Sequence, residues 1–190
     1  MLDDVGSNVR KFSAKYHSPG NVPKILNILA KCPNLKIFET GNYDEYVKEL
    51  EVKTLPELKL DAIKTNDRNM LALFTKSSVE KLEIYYRHIS CETGGDPVFL
   101  RKFLKTHKEL KHLVISISSD RGKDFADKAW NPVRFRLETL EISDYAIGDH
   151  KTFTTFLRAH EKSLKSFKIS GCSSSLIFPI IKKFKGLEKF

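Results

Sequence analysis

Histidines and cysteines are the side chains of this sequence best suited to hold a metal ion or to take part in catalysis. Cys32, His107 and His160 each lie three or four residues before a leucine that opens the same apolar motif. None has a second ligand at Cys-x-x-Cys or His-x-x-x-His spacing, which a metal site would require. We therefore predict that these side chains pack beneath helix ends or interact with the last carbonyl groups of a helix.

The other candidates for chemistry also lack a complete set of groups. His88, Cys91 and His112 match no metal template, and no Gly-x-Ser-x-Gly sequence marks a nucleophile. The glycine-bearing segments Glu92–Pro97 and Asp120–Asp124 lack the order of a phosphate-binding loop and are interpreted as loops. The sequence therefore predicts a protein that is not an enzyme, with no catalytic residue, metal, cofactor or small-molecule substrate.

Composition limits the class of protein before any element is placed. The 190 residues are 41% hydrophobic and include 13 phenylalanines, enough for a sizeable core. The longest apolar run, Leu176–Ile181, is far shorter than the roughly 20 residues that span a bilayer. Met1–Gly6 carries no signal-peptide core, and three widely spaced cysteines without an Asn-x-Ser/Thr site favour a reducing compartment. We expect an intracellular protein, cytoplasmic or nuclear, with no membrane partner.

An apolar motif, L-x-x-L-x-L or a close variant, recurs along the chain and is its dominant pattern. The instances begin 20 to 31 residues apart. The second half of each motif alternates apolar and polar residues, which is the period of a short strand, here three or four residues long. The eight instances begin at Val9, Leu35, Leu55, Val79, Leu110, Leu137, Leu164 and Leu187.

The segments between the motifs are predicted to be helices. Asp96 and Pro97 combine an N-cap with a proline suited to the first turn, and apolar residues then recur at helical spacing through Leu104. One strand and one helix cannot bury their apolar faces alone, so neighbouring units must stack into a solenoid. A doubly wound sheet is the alternative, but it would require longer strands and more uniform helices. The other predicted helices span 22–31, 43–52, 69–76, 153–160 and 176–184.

The residues around two motifs resemble a known family. The segments Leu29–Phe38 (LAKCPNLKIF) and Leu164–Cys172 (LKSFKISGC) are similar to the cysteine-containing leucine-rich repeats of F-box substrate receptors. The resemblance implies an α/β leucine-rich-repeat solenoid, with short parallel strands on the concave side, helices on the convex side and a protein partner. Only Cys172 fills the position after the strand where the family has Asn or Cys, so we expect an irregular arc.

The resemblance covers nearly the whole chain. We expect residues 1–190 to form a single leucine-rich-repeat domain of about seven to eight units. The F-box itself is not evident, because Val22–Leu29 resembles its opening but falls where a repeat helix is due. The first motif begins close to Met1 and the last is cut short at Phe190, so the chain is predicted to be a fragment of a longer protein.

The resemblance also places side chains on the concave face, at positions 3, 5, 7 and 8 counted from the first residue of each motif. Over seven complete motifs these positions hold five basic and six acidic residues, a net charge of −1. An aromatic and apolar cluster among them, typical of a protein-binding hot spot, consists of Tyr85, Tyr86, His112, Val114 and Ile117. The predicted protein-binding residues are Lys81, Glu83, Tyr85, Tyr86, His112, Val114, Ser116 and Glu141.

The formal net charge of +9 must then lie elsewhere. Residues 96–190 hold 19 basic and 11 acidic residues, and many of the basic ones fall on predicted helices among Phe and Leu, as on a solvated amphipathic face. We expect a protein–protein interaction module, in its narrower form the substrate-recognition part of an F-box-type ubiquitin ligase receptor. A protein, and not nucleic acid, is the expected partner. The alternative is a binder of nucleic acid or another acidic surface through the basic residues Arg101, Lys102, Lys105, Lys108, Arg158, Lys162, Lys165, Lys182, Lys183 and Lys185.

Overall fold

Within the residues that the structure describes, seven β-strands form one parallel sheet in the computed structural model of the chain. The structure describes residues 6–14, 22–41, 55, 57–66, 68–86, 98–117, 130, 134–143, 147, 149–171 and 177–190. The strands are β1 (Lys11–Ala14), β2 (Ile37–Thr40), β3 (Lys59–Thr65), β4 (Ser78–Tyr86), β5 (His112–Ile117), β6 (Thr139–Ser143) and β7 (Ser166–Ser170). The helices are α1 (Val22–Ala30), α2 (Val98–Thr106), α3 (His150–Ala159) and α4 (Phe178–Ile181), with 3₁₀ helices at Gly6–Asn8 and Arg68–Phe74.

Each strand of the sheet pairs with the strands that come before and after it in the chain, in the order β1 to β7. The sheet does not close on itself. The second apolar residue of the motif lies in register across the middle, where Leu82 pairs with Leu113 and Leu113 with Leu140. The prediction of an α/β protein with parallel strands is confirmed, although the central strand β4 has nine residues and exceeds the predicted length.

Backbone hydrogen bonds before each strand repeat in the same form. The carbonyl oxygen of Arg10 accepts the N–H groups of Lys36 and Ile37, at 2.8 and 3.0 Å. Near the end of the chain, the carbonyl oxygen of Lys165 accepts the N–H groups of Glu188 and Lys189 in the same way, so the eighth motif continues the pattern beside β7. The carbonyl oxygens that accept two such bonds are those of Arg10, Lys36, Lys111, Glu138 and Lys165.

The third motif lies five residues later in the sequence than predicted. Ala62 is the register partner of both Ile37 and Lys81, which occupy position 3 of their own motifs. The third motif therefore begins at Leu60 and not at Leu55. This shift changes which side chains of β3 share a row with those of the neighbouring strands.

The connection between β3 and β4 contains the 3₁₀ helix Arg68–Phe74, where the sequence predicted an α-helix over 69–76. With the third motif corrected, only 19 residues separate Leu60 from Val79, the first residues of successive motifs. Every side chain from 70 to 74 is buried, whereas an amphipathic α-helix would expose part of such a run. The short, buried connection is therefore wound more tightly than an α-helix.

The other helices lie close to their predicted positions but differ in length. The predicted helix over 22–31 corresponds to α1, and α3 begins before the predicted start at residue 153 because Asp149 caps it, accepting the N–H of Thr152 at 2.7 Å. The last helix, α4, is shorter than the predicted 176–184. The predicted helix over 43–52 and the predicted cap at Asp96 and Pro97 lie outside the described residues. Within the described ranges, no helix has the length and apolar character needed to cross a membrane.

A single cluster of apolar side chains lies against one face of the sheet. Along β5, Leu113, Ile115 and Ile117 are buried and the residues between them are partly exposed. Helices α2 and α3 contribute Phe103 and Phe153 to the same cluster. Helices therefore cover one face of the sheet, and the side chains of its opposite face remain accessible to solvent.

Candidate functional site

The face of the sheet that points away from the apolar cluster, here named the outer face, carries seven of the eight predicted binding residues. They align in rows across β4, β5 and β6 because these strands are in register. All seven are partly exposed. The rows are Lys81 with His112, then Glu83 with Val114 and Glu141, and then Tyr85 with Ser116.

One member of the predicted aromatic and apolar cluster, Ile117, is not on this surface. Ile117 is fully buried against the core, so its predicted place on the binding face is wrong. The reason is strand alternation, because Ile117 follows the outward Ser116 and successive side chains of a strand point to opposite faces. Tyr86 ends β4 as the register partner of Ile117, and its side chain lies outside the described part of the structure.

Glu83 is the electrostatic centre of the outer face. Its carboxylate lies 2.6 Å from the ammonium of Lys81 and 3.8 Å from that of Lys64, and its other contact is a hydrogen bond of 3.0 Å donated by the Tyr85 hydroxyl. Burial alone would raise the pKa of Glu83. The hydrogen bonds from Lys81 and Tyr85, with the charges of Lys81 and Lys64, outweigh that effect and hold the pKa below its usual value. Glu83 is therefore an anion whose charge is neutralised locally.

Tyr85 presents a neutral phenol on this surface. Burial, the hydrogen bond to Glu83 and the charges of Glu83 and Glu141 raise the pKa of Tyr85 to about 12. The ammonium of Lys64 lies 5.4 Å from the centre of its ring, within the range of a cation–π contact. These contacts fix the aromatic side chain while part of the ring stays accessible to a partner.

The β5–β7 side of the outer face carries hydroxyl groups and one further ion pair. His112 Nδ1 lies 2.8 Å from the Thr139 hydroxyl, on the neighbouring strand. Ser143 donates to the backbone carbonyl of Ile117 at 3.0 Å. The carboxylate of Glu141 accepts a hydrogen bond of 2.7 Å from Lys168. Val114 thus stands as an apolar side chain among polar groups that already have partners.

One residue of this surface, Lys64, was missed by sequence reasoning. Lys64 was missed because the third motif was begun at Leu55, which left Lys64 outside the numbered positions. The sequence did contain an indication of its position, because a second match to the motif begins at Leu60 and places Lys64 at position 5. Thr139 and Ser143 were assigned to this face at positions 3 and 7 of their motif, but their residue types did not distinguish them from other small polar residues.

A chain of ion pairs crosses the outer face from β1 to β4. Glu39 lies 3.0 Å from Lys11 and 4.0 Å from Lys64, and Lys64 in turn approaches Glu83. With the corrected third motif, positions 3 and 5 of the seven strands carry four basic and three acidic residues. The basic residues are Lys11, Lys64, Lys81 and Lys168, and the acidic ones are Glu39, Glu83 and Glu141. This narrower set of positions is near neutral, as the predicted face was.

The predicted packing of Cys32, His107 and His160 at helix ends is confirmed, since all three are buried. One ring nitrogen of His107 lies 2.7 Å from the carbonyl oxygen of Phe103, and the other lies 3.0 Å from that of Phe74. Burial lowers the pKa of His107 and raises that of the Cys32 thiol. In the described ranges, no three His, Cys, Asp or Glu side chains are grouped as metal ligands would be.

Comparison of the chain with protein-family models, curated protein sequences and solved structures finds no match.

Proposed function

We propose that the chain is a protein-recognition module of the leucine-rich-repeat class, without enzymatic activity, which binds its partner on the outer face. Two features support the class. The strands follow one another through the sheet in chain order, and the motif residues lie in register from strand to strand. A solenoid built from one strand and one helical connection in each unit requires both features.

The observation that carries the proposed binding role is the pairing of Tyr85 with Val114 at the middle of the outer face. Tyr85 on β4 and Val114 on β5 are partly exposed, and the charges next to them are already neutralised by Lys81, Lys64 and Lys168. A partner that covers this centre removes aromatic and apolar surface from water without leaving new unpaired charges. Such a centre with a charged surround is the arrangement of a protein-binding hot spot.

The narrower proposal is that the partner is a substrate of a ubiquitin ligase, with this chain in the substrate-recognition part of an F-box-type receptor. This proposal is based on the resemblance of the segments around Cys32 and Cys172 to the repeats of such receptors. The sequence of the full-length gene product tests it. An F-box in the same polypeptide supports the receptor role, and a full-length product without one contradicts it.

The test of the outer face combines cross-linking with a double substitution. A photoactivatable phenylalanine analogue at Ser116 is expected to cross-link a protein from cell lysate, and the same analogue at Lys102 on α2 is expected not to. Tyr85→Ala with Val114→Ala should remove this capture, because a hot-spot residue contributes about 2 kcal/mol or more to binding.

The matched control is Ile28→Ala with Phe178→Ala. It removes one aliphatic and one aromatic side chain that are also exposed, at 47% and 39%, but lie on α1 and α4. Circular dichroism verifies that both double variants are folded. Unchanged capture by the Tyr85/Val114 variant, or equal loss in both variants, would overturn the assignment of the outer face.

A further inference from the structure

Nine basic side chains in α2, in α3 and in the turns that follow α2, α3 and α4 have no acidic partner in the described part of the structure. All nine are exposed. None of them makes an ion pair or a side-chain hydrogen bond with any other described residue, although acidic side chains such as Glu109 and Glu161 are close to them in sequence. The nine residues, here named the basic helical surface, are Arg101, Lys102, Lys105, Lys108, Arg158, Lys162, Lys182, Lys183 and Lys185.

Several lysines of the sheet side are paired. Lys165, which the sequence assigned to the basic helices, lies before β7 and binds Glu138 at 2.7 Å, so that assignment is wrong. The same assignment is wrong for five residues that lie in turns after the helices, which are Lys108, Lys162, Lys182, Lys183 and Lys185. Lys111 pairs with Glu80 at 3.0 Å on the same edge as Lys165. The lysines that lie within 4.0 Å of a carboxylate of another described residue include Lys11, Lys64, Lys81, Lys111, Lys165 and Lys168. The nine residues differ from these six lysines because no described carboxylate lies within ion-pair distance of them, which is also true of Lys59 on β3.

The basic helical surface faces away from the outer face. Helix α2 buries Leu100, Phe103 and Leu104 in the apolar cluster, and α3 buries Phe153 and Phe156 in the same cluster. The exposed sides of both helices therefore point away from the sheet. Arg101 and Lys105 are one helical turn apart within α2, where like charges repel. A polyanion bound across these helices would relieve that repulsion.

We propose that the basic helical surface binds the phosphate backbone of double-stranded nucleic acid, at a site separate from the outer face. Seven of its nine residues are lysines, whose mobile ammonium groups suit closely spaced phosphates but read no base sequence. On α2 and α3 the exposed residues described are basic or small except for His150 at the start of α3, and a single imidazole offers no platform on which successive single-stranded bases could stack. Helices α2 and α3 also expose no large apolar group of the kind that anchors a protein partner or inserts into a membrane surface, whereas Phe178 at the start of α4 is 39% exposed. A regular duplex is the polyanion that needs only cations.

The experiment measures binding of labelled duplexes of about 20 base pairs, one of DNA and one of RNA, by fluorescence anisotropy between 50 and 200 mM salt. The wild-type chain should bind at low salt and lose affinity about a thousandfold over this range if roughly six phosphates are contacted. Phosphatidylserine vesicles and polyglutamate serve as anionic competitors. The two duplexes show whether the deoxyribose or the ribose form is preferred.

Two triple variants with the same change in net charge separate a local site from general attraction. Lys102→Gln, Lys105→Gln and Lys108→Gln neutralise the basic helical surface, and Lys111→Gln, Lys165→Gln and Lys168→Gln neutralise three paired lysines of the sheet side. The first set should weaken duplex binding at least about tenfold and reduce the slope of log affinity against log salt by about 3, one for each phosphate that is no longer neutralised. The second set should change both quantities much less.

Several results would overturn the proposal. Equal losses in the two triple variants would mean that net charge and not this surface attracts the duplex. The assigned ligand would be excluded by a flat salt response or by the absence of binding at 50 mM salt. It would also be excluded if vesicles or polyglutamate displaced the duplex at equal charge. The Tyr85/Val114 double variant should bind duplex as the wild type does, so failure of the proposed protein-binding role leaves this test unaffected.

Discussion

His160 is the buried polar side chain with the least favourable surroundings. Its Nδ1 accepts the N–H of Leu137 at 3.3 Å, and its Nε2 has no hydrogen-bond partner among the described residues. The ring stacks on Phe135 and meets Phe156 edge to face. Its burial followed from the sequence, because His160 and Cys32 hold equivalent places in the repeat. The missing partner could not be predicted, since it depends on the packing of two aromatic rings around the imidazole.

The acid sensitivity of the fold should depend on His160. Burial, together with the charge of Arg136, lowers its pKa from 6.5 to about 4 in the folded chain. The unfolded chain therefore binds a proton between these values and the folded chain does not, so stability present above pH 6.5 is lost as the pH falls toward 4. This difference in pKa corresponds to roughly 3 kcal/mol.

The test is urea unfolding of the wild type and His160→Asn at pH 7 and pH 4.5. Asparagine can still accept the Leu137 N–H but does not titrate, so the variant should lose less stability on acidification. His150→Asn at an exposed site is the control and should follow the wild type. Parallel pH dependence of the wild type and His160→Asn would contradict this explanation.

At the scale of elements, the register of β3 marks the limit of what the motif could predict. Leu55 and Leu60 both begin a run with the required apolar spacing, and both are buried. A six-residue pattern cannot choose between two overlapping matches. Pairing decides, because Thr65 then lies beside Thr40 on β2 and their buried hydroxyls hydrogen-bond at 2.8 Å. Thr40 ends the second motif and Thr65 ends the match that begins at Leu60, so the shared threonine was the sequence feature that could have identified the correct match.

The first 3₁₀ helix is held against the end of α1 by a contact that only glycine allows. A Cβ at Gly6 would collide with the carbonyl oxygen of Lys31, which is backbone and has little room to move. Gly6→Ala should therefore destabilise the fold by about 1–3 kcal/mol, the usual cost of overpacking. The measurement is the free energy of unfolding in urea.

The control for this substitution is Gly186→Ala near the other end of the chain. There, the nearest atom to a new Cβ is the Leu164 carbonyl oxygen at 3.9 Å, an ordinary contact distance. This variant should unfold within about 0.5 kcal/mol of the wild type. Equal stability of both variants would show that α1 and the Gly6–Asn8 segment do not pack as described.

For the whole molecule, a repeated motif was enough to predict strand order, because equivalent units stack in sequence. The distribution of charge partners was not predictable in the same way. Whether Lys111 meets Glu80 depends on which residues of adjacent strands share a row, and the sequence offers nearer candidates such as Glu109. Only the register shows that Lys111, Lys165 and Lys168 are paired and that, within the described ranges, the nine residues of the basic helical surface are not.

The open, sequential sheet makes a specific prediction about how a local defect spreads. Each strand pairs only with its neighbours in the chain, so stability should be a sum of neighbour contacts and not a single all-or-none quantity. Leu113→Ala, in the middle of the sheet, and Leu29→Ala, in α1, each remove a completely buried leucine side chain. Each substitution should cost roughly 3 kcal/mol.

Hydrogen exchange measured by mass spectrometry shows which strands lose amide protection in each variant. Leu113→Ala should reduce amide protection in β4, β5 and β6 more than in β1, and Leu29→Ala should do the reverse, affecting β1 and β2 more than β7. The reason is that a cavity weakens the packing of its own unit and of adjacent units, while distant units keep theirs. If both variants lowered protection uniformly from β1 to β7, the chain would unfold as one cooperative block and the neighbour-sum description would be wrong.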